Sequence, residues 1–326
     1  MDHALAGNAG LAGTSTCPLS AKLVPRCGVL WGAAVNPVFP AESWDSAFAA
    51  FAQASGRSLD VAHYYEAGTE RFPNRAELAR SRRAGGPPLF FFNWKPAPRL
   101  TWSQVAAGAV DAHIDAEARR LRQTMTKPFF LAIQHEPEDS VRPEAGSGMT
   151  TADYRAMFRH VVLRLRADGV TNAVTVMDYR GSPRWSQEMV AALYPGDDVV
   201  DWIGFDPYLL PGAQWDQPFA GALDRRNFAR PEWPGFYTWA TGAHPSKPLM
   251  LAEWGISQRF TDAEVVRRLK QAQLALSTHP ALKALIYWDA ANNPPVGATR
   301  MQRPAVRRAF ADLARSSAVT GRAAAR

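Results

Sequence analysis

Pro128-Phe-Phe-Leu-Ala-Ile-Gln-His135-Glu136-Pro137-Glu138 runs apolar from Phe129 to Ile133, then turns polar and meets a proline. A strand buried on both faces reads this way when its last residues emerge at a mouth. Glu136 stands at that exit. Lys247-Pro-Leu-Met-Leu-Ala-Glu253-Trp254-Gly255 repeats the pattern, with a proline entrance, an apolar run, a glutamate and a glycine. If both strands belong to one parallel barrel, their C-terminal ends share a face and the two carboxylates meet across one cleft.

The rest of the chain supplies the other units of such a barrel. Strands are expected at 27–35, 58–65, 88–96, 172–179, 199–208 and 282–289, each a short apolar run bounded by turn residues. Helices are expected at 43–55, 74–84, 101–124, 151–168, 185–194, 261–278 and 304–316, where apolar residues recur at helical spacing. Ser43 and Asn74 read as N-caps, and Gly56 as the stop of the first helix. The stretch 209–245 is less regular, with Trp215, Trp233, Phe236, Tyr237 and Trp239 around a weak helix. Residues 139–149, rich in Ser, Gly and Pro, form a loop long enough to wall a cleft. Eight strand–helix units predict an α/β fold, a (β/α)8 TIM barrel in a single domain over 27–316. An N-terminal arm (1–26) and a fraying tail (317–326) flank it.

Composition agrees. With 326 residues, 47% hydrophobic and 11% aromatic, the chain can bury the core of one large domain. The formal charge of +7 raises the question of nucleic acid. The arginines, however, fall as isolated pairs such as Arg82-Arg83 and Arg267-Arg268 within helical patterns, without a continuous basic stripe, so no nucleic-acid partner is expected. Adhesion to acidic surfaces stays open. No apolar run reaches the length of a membrane span, and residues 1–16 lack the features of a signal peptide. Cys17 and Cys27 fit a small disulfide-closed loop in an exported, extracellular protein, against the alternative of two thiols in a cytosolic one. Two cysteines are too few for a tetrahedral zinc site. His63 and His135 are the only histidines at strand ends, so neither a metal nor a cofactor is expected. No G-x-S-x-G elbow is present.

Paired carboxylates at a cleft suit glycosidic bond cleavage. One protonates the leaving oxygen, while the other attacks the anomeric carbon or activates water. Structural ion pairs are the bland alternative for each glutamate. A noncatalytic carbohydrate-binding barrel is the rival class, but it would keep the tryptophans and lose a carboxylate. Trp94, Tyr64 and Trp31 stand at other strand ends and are candidates for stacking against sugars, with Trp254 counted beside them. Asp206 is a candidate for binding hydroxyls or for capping a loop.

The arrangement resembles clan A of the glycoside hydrolases, and within it family 26, best known for β-mannanases. The resemblance spans 27–316 and rests on His135-Glu136, on the strand carrying Glu253, on Val200-Asp-Trp-Ile-Gly-Phe-Asp206-Pro-Tyr208, and on Trp288. It implies a retaining hydrolase of β-linked polysaccharide, acting as a monomer, with Glu136 as acid/base and Glu253 as nucleophile. By the same resemblance, Tyr208 donates to Glu253, His135 orients the acid or holds a hydroxyl, and Trp288 lies under the sugar at the cleaved bond. One departure stands out. Family 26 mannanases commonly follow His-Glu with Met-Asn-Gly, whereas this chain has Pro137-Glu138-Asp139. The glycan therefore stays open among mannan, glucan, xylan and envelope polysaccharides, and Glu138 is a rival acid.

Overall fold

The computed structural model describes residues 17–181, 187–212, 217–225, 232–294 and 296–321. Among these, β1 (Leu30–Asn36) leads to α1 (Trp44–Ser55), β2 (Val61–Ala67) to α2 (Arg75–Ser81), and β3 (Leu89–Lys95) to α3 (Trp102–Ala106) and α4 (Asp111–Thr124). Strand β4 (Phe129–Ile133) runs into a 3-10 turn at Pro137–Asp139 and then α5 (Thr151–Ala167), and β5 (Ala173–Tyr179) precedes α6 (Gln187–Leu193). Strand β6 (Trp202–Phe205) and the short β7 (Tyr208–Leu209) precede α7 (Phe219–Leu223) and α8 (Phe236–Ala243). Strand β8 (Leu249–Ile256) is followed by α9 (Asp262–Thr278), and β9 (Leu282–Ala290) by α10 (Pro304–Arg315) and α11 (Ser317–Thr320).

The named strands pair in parallel in the order β6-β5-β4-β3-β2-β1-β9-β8, and the sheet closes where Ile203–Phe205 meet Leu249–Leu251. Eight strands thus make a closed barrel, with β7 added along the C-terminal end of β8. The expected strand 199–208 is interrupted at Asp206-Pro207, because proline has no N–H to give a ladder. Likewise the expected helix 101–124 is two helices. Gly108 between them takes φ +91°, which no helix interior allows. Of the expected helix 185–194, Trp185 lies outside the described residues, as does Trp215. Ser43 and Asn74 cap α1 and α2 as their sequences imply, and Gly56 closes α1 at φ +65°.

Each strand serves two cores. Leu30, Val61, Phe91, Phe130, Trp202, Met250 and Ile286 fill the barrel interior. Their neighbours Trp31, Ala62, Phe92, Leu131, Ile203, Leu251 and Tyr287 pack outward in the layer shared with the helices. Strand period two sorts these sets, and it also decides which side chains reach the mouth.

The opposite end of the barrel is plugged. Cys17 and Cys27 form a disulfide, and the loop they close places Leu23 in the interior core, while Trp202 Nε1 donates to Lys22 O at 2.7 Å. The start of the segment expected to fray is also folded. Helix α11 buries Val319, whose carbonyl accepts from Val29 N at 2.9 Å. Among the described residues, no helix is long and apolar enough to cross a membrane.

Candidate active site

Glu253 reaches the barrel mouth through an irregularity. Met250 and Ala252 face the interior and Leu251 faces out, so strict alternation would turn Glu253 outward. Between Leu251 and Trp254, however, β8 carries one residue more than the segment Leu285–Tyr287 of β9 that it pairs with. This bulge reverses the register, sending Trp254 into the outer layer and Glu253 to the mouth. There Tyr65 Oη donates to Glu253 Oε1 at 2.5 Å and Tyr208 Oη donates to Oε2 at 2.5 Å. The backbone N–H of Glu253 donates to Asp206 Oδ1 at 2.8 Å. Burial pushes the Glu253 carboxyl above the usual carboxylate range, and the two tyrosine donors, then the charges of Arg180 and Lys95, offset part of that rise.

Glu136 is delivered by a turn. Gln134 and Glu136 take φ +54° and +46°, left-handed values costly for residues with a Cβ. The Glu136 N–H is held by Asp178 O at 3.0 Å. Among the described residues, no tyrosine donates to its carboxylate. Burial, and then the charge of Glu253, push Glu136 up to about 7, against the pull of Arg180, whose Nη1 lies 3.4 Å from Oε2. Arg180 Nη1 also bonds Asp139.

Glu138 points elsewhere. It is fully buried, accepts from the N–H groups of Arg180 at 3.2 Å and Gly181 at 3.3 Å, and is absent from the cavity lining. Burial pushes it up to about 7, but no substrate oxygen can reach a carboxyl so enclosed.

Glu136, Glu253, Asp206, Tyr208 and Trp288 line one cavity of about 590 Å³, together with Arg180. His135 stands beside it, edge-on to Tyr65 with ring centroids 5.4 Å apart. Burial, and then Lys95, push His135 down to about 3, so its ring is neutral. Four expected sugar contacts are corrected. Tyr64 points to the helix layer, accepts from Arg80 Nη1 at 2.8 Å and packs on Trp44 and Phe48. Trp31 lies under Phe51 and Phe310, Trp94 against Phe72, and Trp254 among Trp31, Phe219 and Tyr287. All three tryptophans are 0% exposed. Each occupies an outward position of its strand, where a barrel under helices is as apolar as inside.

Sequence reasoning missed Tyr65 and Arg180. For Tyr65 a signal existed, since His63 and Tyr65 share a face that Tyr64 does not. Asp178 and Asp206, both buried, complete the floor. Burial comes first in pushing each far up, joined by the glutamates' charges and, for Asp206, by Asp178. Among the described residues, no group of three His, Cys, Asp or Glu side chains is placed to hold a metal ion.

Known structures share this architecture. A GH26 β-mannanase from Bacteroides ovatus superposes with a TM-score of 0.62 at 17% identity, over 93% of each chain. The catalytic domain of a GH26 endo-β-1,4-mannanase from Bacillus sp. JAMB-750 gives 0.59 at 15% identity, over 89% of this chain and 86% of that one. The chain shares the barrel fold of these two enzymes. Two curated relatives are similar in sequence to parts of the chain. Endoglucanase H of Acetivibrio thermocellus is 28% identical over 193 residues, covering 55% of this chain and 21% of the relative. A β-1,3-xylanase of Vibrio sp. is 29% identical over 131 residues, 39% of this chain and 26% of the relative. The matches thus span about a quarter or less of the curated relatives' own length. No protein-family model matches the chain.

Proposed function

We propose that the chain is a retaining glycoside hydrolase that cleaves β-linked polysaccharide by double displacement. One observation carries this reading: two glutamates share a cavity, and Glu253 has a tyrosine O–H on each carboxylate oxygen while Glu136, among the described residues, has none. Glu136, buried beside a second carboxylate without a tyrosine donor, holds a proton near neutral pH. Glu253 has an O–H donor on each oxygen, and these favour its anion against the upward push of burial. Tyr65 and Tyr208 stay protonated, because burial and the charge of Glu253 push both hydroxyls well up.

In the first step the Glu136 O–H protonates the glycosidic oxygen as a Glu253 oxygen attacks the anomeric carbon, giving a glycosyl ester and a free leaving-group hydroxyl. In the second, the Glu136 carboxylate takes a proton from water, whose oxygen attacks the anomeric carbon and releases Glu253. The mechanism needs the carboxyls about 5–5.5 Å apart, in keeping with the effect of Glu253 on the Glu136 proton. Trp288 supplies an aromatic wall for the sugar. The names of similar proteins offer mannan, glucan and β-1,3-xylan as first candidates. The disulfide accords with an exported protein working on extracellular glycan.

The test is reducing-end release from mannans, β-glucans, β-1,3- and β-1,4-xylans and arabinan, with Glu253→Ala as control. Release by the wild-type chain alone supports hydrolysis, and the responsive polymer names the substrate. Binding of a polymer without release from any would favour a carbohydrate-binding barrel.

A further inference from the structure

A second cavity, of about 430 Å³, opens at the C-terminal ends of β3 and β4. The two cavities share a wall. Arg180 lines the first and is bonded to Asp139, which lines the second. The second has an apolar floor that includes Trp102 and Met149, and a polar rim of Lys95, Gln134, Asp139 and Arg142.

Cations outnumber carboxylates on this rim, and the charge of Lys95 acts also on Glu253 of the first cavity. Among the described residues, Asp139 is its only carboxylate and is already bonded to Arg180. Among the described residues, neither Lys95 Nζ nor the Arg142 guanidinium has a hydrogen-bond or ion-pair partner. Lys95 belongs to the inward set of β3, two residues beyond Asn93 and four beyond Phe91. Arg142 is on the loop whose sequence departs from the mannanase pattern, and that loop is tied down. Arg142 N donates to Met149 O at 2.9 Å, Ser147 Oγ donates to Arg142 O at 2.9 Å, and Trp102 N reaches Met149 Sδ at 3.4 Å. A backbone fixed in this way spares binding the cost of ordering the loop and leaves the rotamer freedom of the Arg142 side chain as the part still to be lost. The chain's net charge of +7, which no nucleic-acid stripe explains, favours a polyanionic partner at long range.

We propose that this cavity binds an anionic group, the carboxylate of a uronic acid or a sulfate ester, on a sugar near the bond to be cleaved. The substrate is then an acidic glycan, with Arg142 and Lys95 as its specificity determinants. This rests on the hydrolase reading above and adds the charge of the substrate to it. A guanidinium facing a carboxylate or sulfate forms charge-assisted hydrogen bonds, roughly twice as strong as neutral ones, and an ammonium beside it adds a point charge.

The test is calorimetric binding to the full chain carrying Glu253→Ala, so that substrate is not consumed. The probes are a glucuronoxylan and a polymannuronate with their carboxyl-reduced forms, and a sulfated galactan with its desulfated form. We expect one acidic polymer to bind at least about tenfold more tightly than its neutral counterpart, with the difference falling as salt rises. Adding Arg142→Ala, whose exposed side chain has no structural partner, should collapse that difference while leaving affinity for the neutral form unchanged. Lys95→Gln should reduce it further. Preference for a uronate or for a sulfate identifies the anion. Equal binding of charged and neutral forms, binding of neither, or a difference that survives Arg142→Ala overturns the proposal. The two readings fail separately. Release from neutral glycans without any acidic preference sinks this one alone, whereas tight, Arg142-dependent binding of an acidic glycan that wild type never cleaves sinks the hydrolase reading alone.

Discussion

Tyr65 and Glu253 are 188 residues apart in the chain and 2.5 Å apart at the barrel mouth, the phenol donating to Oε1. Tyr65→Phe removes one of two donors from the carboxylate. A hydrogen bond to a charged group contributes about 1.5–3 kcal/mol, so kcat should fall roughly 10- to 100-fold. The ionised form of Glu253 loses support, and the acid limb of kcat/KM should move to higher pH. Tyr64→Phe loses only the bond from Arg80 in the outer layer. It should cost about 1 kcal/mol of stability and leave kcat unchanged. pH–rate profiles with denaturant melts of both variants decide it, and a kcat loss confined to Tyr64→Phe would refute the assignment.

The alkaline limb should report Glu136. The proposed acid must be protonated when substrate binds, and its carboxyl is pushed up to about 7. Hence kcat/KM should fall above about pH 7 as the proton is lost. Arg180 favours the ionised form of Glu136. Arg180→Gln should therefore move this limb upward, by about one unit, as read from kcat/KM between pH 5 and 9. A limb that stays put or moves down would show that another group sets it.

Glu136 and Glu138 are separable by leaving group. Without its acid, a glycosidase loses about 10²–10⁴ in rate on an ordinary sugar leaving group, and far less on an aryl glycoside that departs unprotonated. Glu136→Ala should show this split. Glu138→Gln keeps an acceptor for only one of the Arg180 and Gly181 N–H groups, which bond different carboxylate oxygens, so it should lower stability while the folded fraction stays within about tenfold of wild type on both substrates. The reverse pattern would make Glu138 the acid.

Much of this site is visible before folding, for a physical reason. An apolar run that ends in a glutamate marks a buried strand leaving its core, so both carboxylates are legible in residues 128–138 and 247–255, and the barrel in the eight strand–helix units around them. Which neighbour faces the mouth is less so. Strands β1 and β3 are apolar on both faces, and nothing local says whether Trp31 or Gly32, or Trp94 or Lys95, turns inward. The bulge in β8 is invisible for the same reason, since the extra residue is defined only against β9. Arg180 escaped because it sits just past β5, where its role depends on the turn that brings Glu136 and Asp139 beside it. Gly108, by contrast, was a readable break inside the expected helix 101–124.

The disulfide loop should stabilise the barrel from the end away from the chemistry. Leu23 lies in the interior core, 3% exposed, and the loop that carries it is closed by Cys17 and Cys27. Leu23→Ala opens a cavity in that core and should cost about 2–5 kcal/mol. Replacing both cysteines by serine frees a loop of sequence separation 10, for which roughly 2–3 kcal/mol is expected. Both changes act on the arm that receives the Trp202 indole N–H and the Asp201 carboxylate through Lys22. Their effects should therefore be less than additive, because an unclosed loop already holds Leu23 weakly. Glu136 and Glu253 sit at the other end of the strands, so kcat at 25 °C should be unchanged in the folded fraction. Chemical denaturation of the single and combined variants, with and without reductant, measures the coupling. Full additivity, or a wild-type midpoint that reductant leaves unmoved, would show that the loop covers the barrel end without holding it.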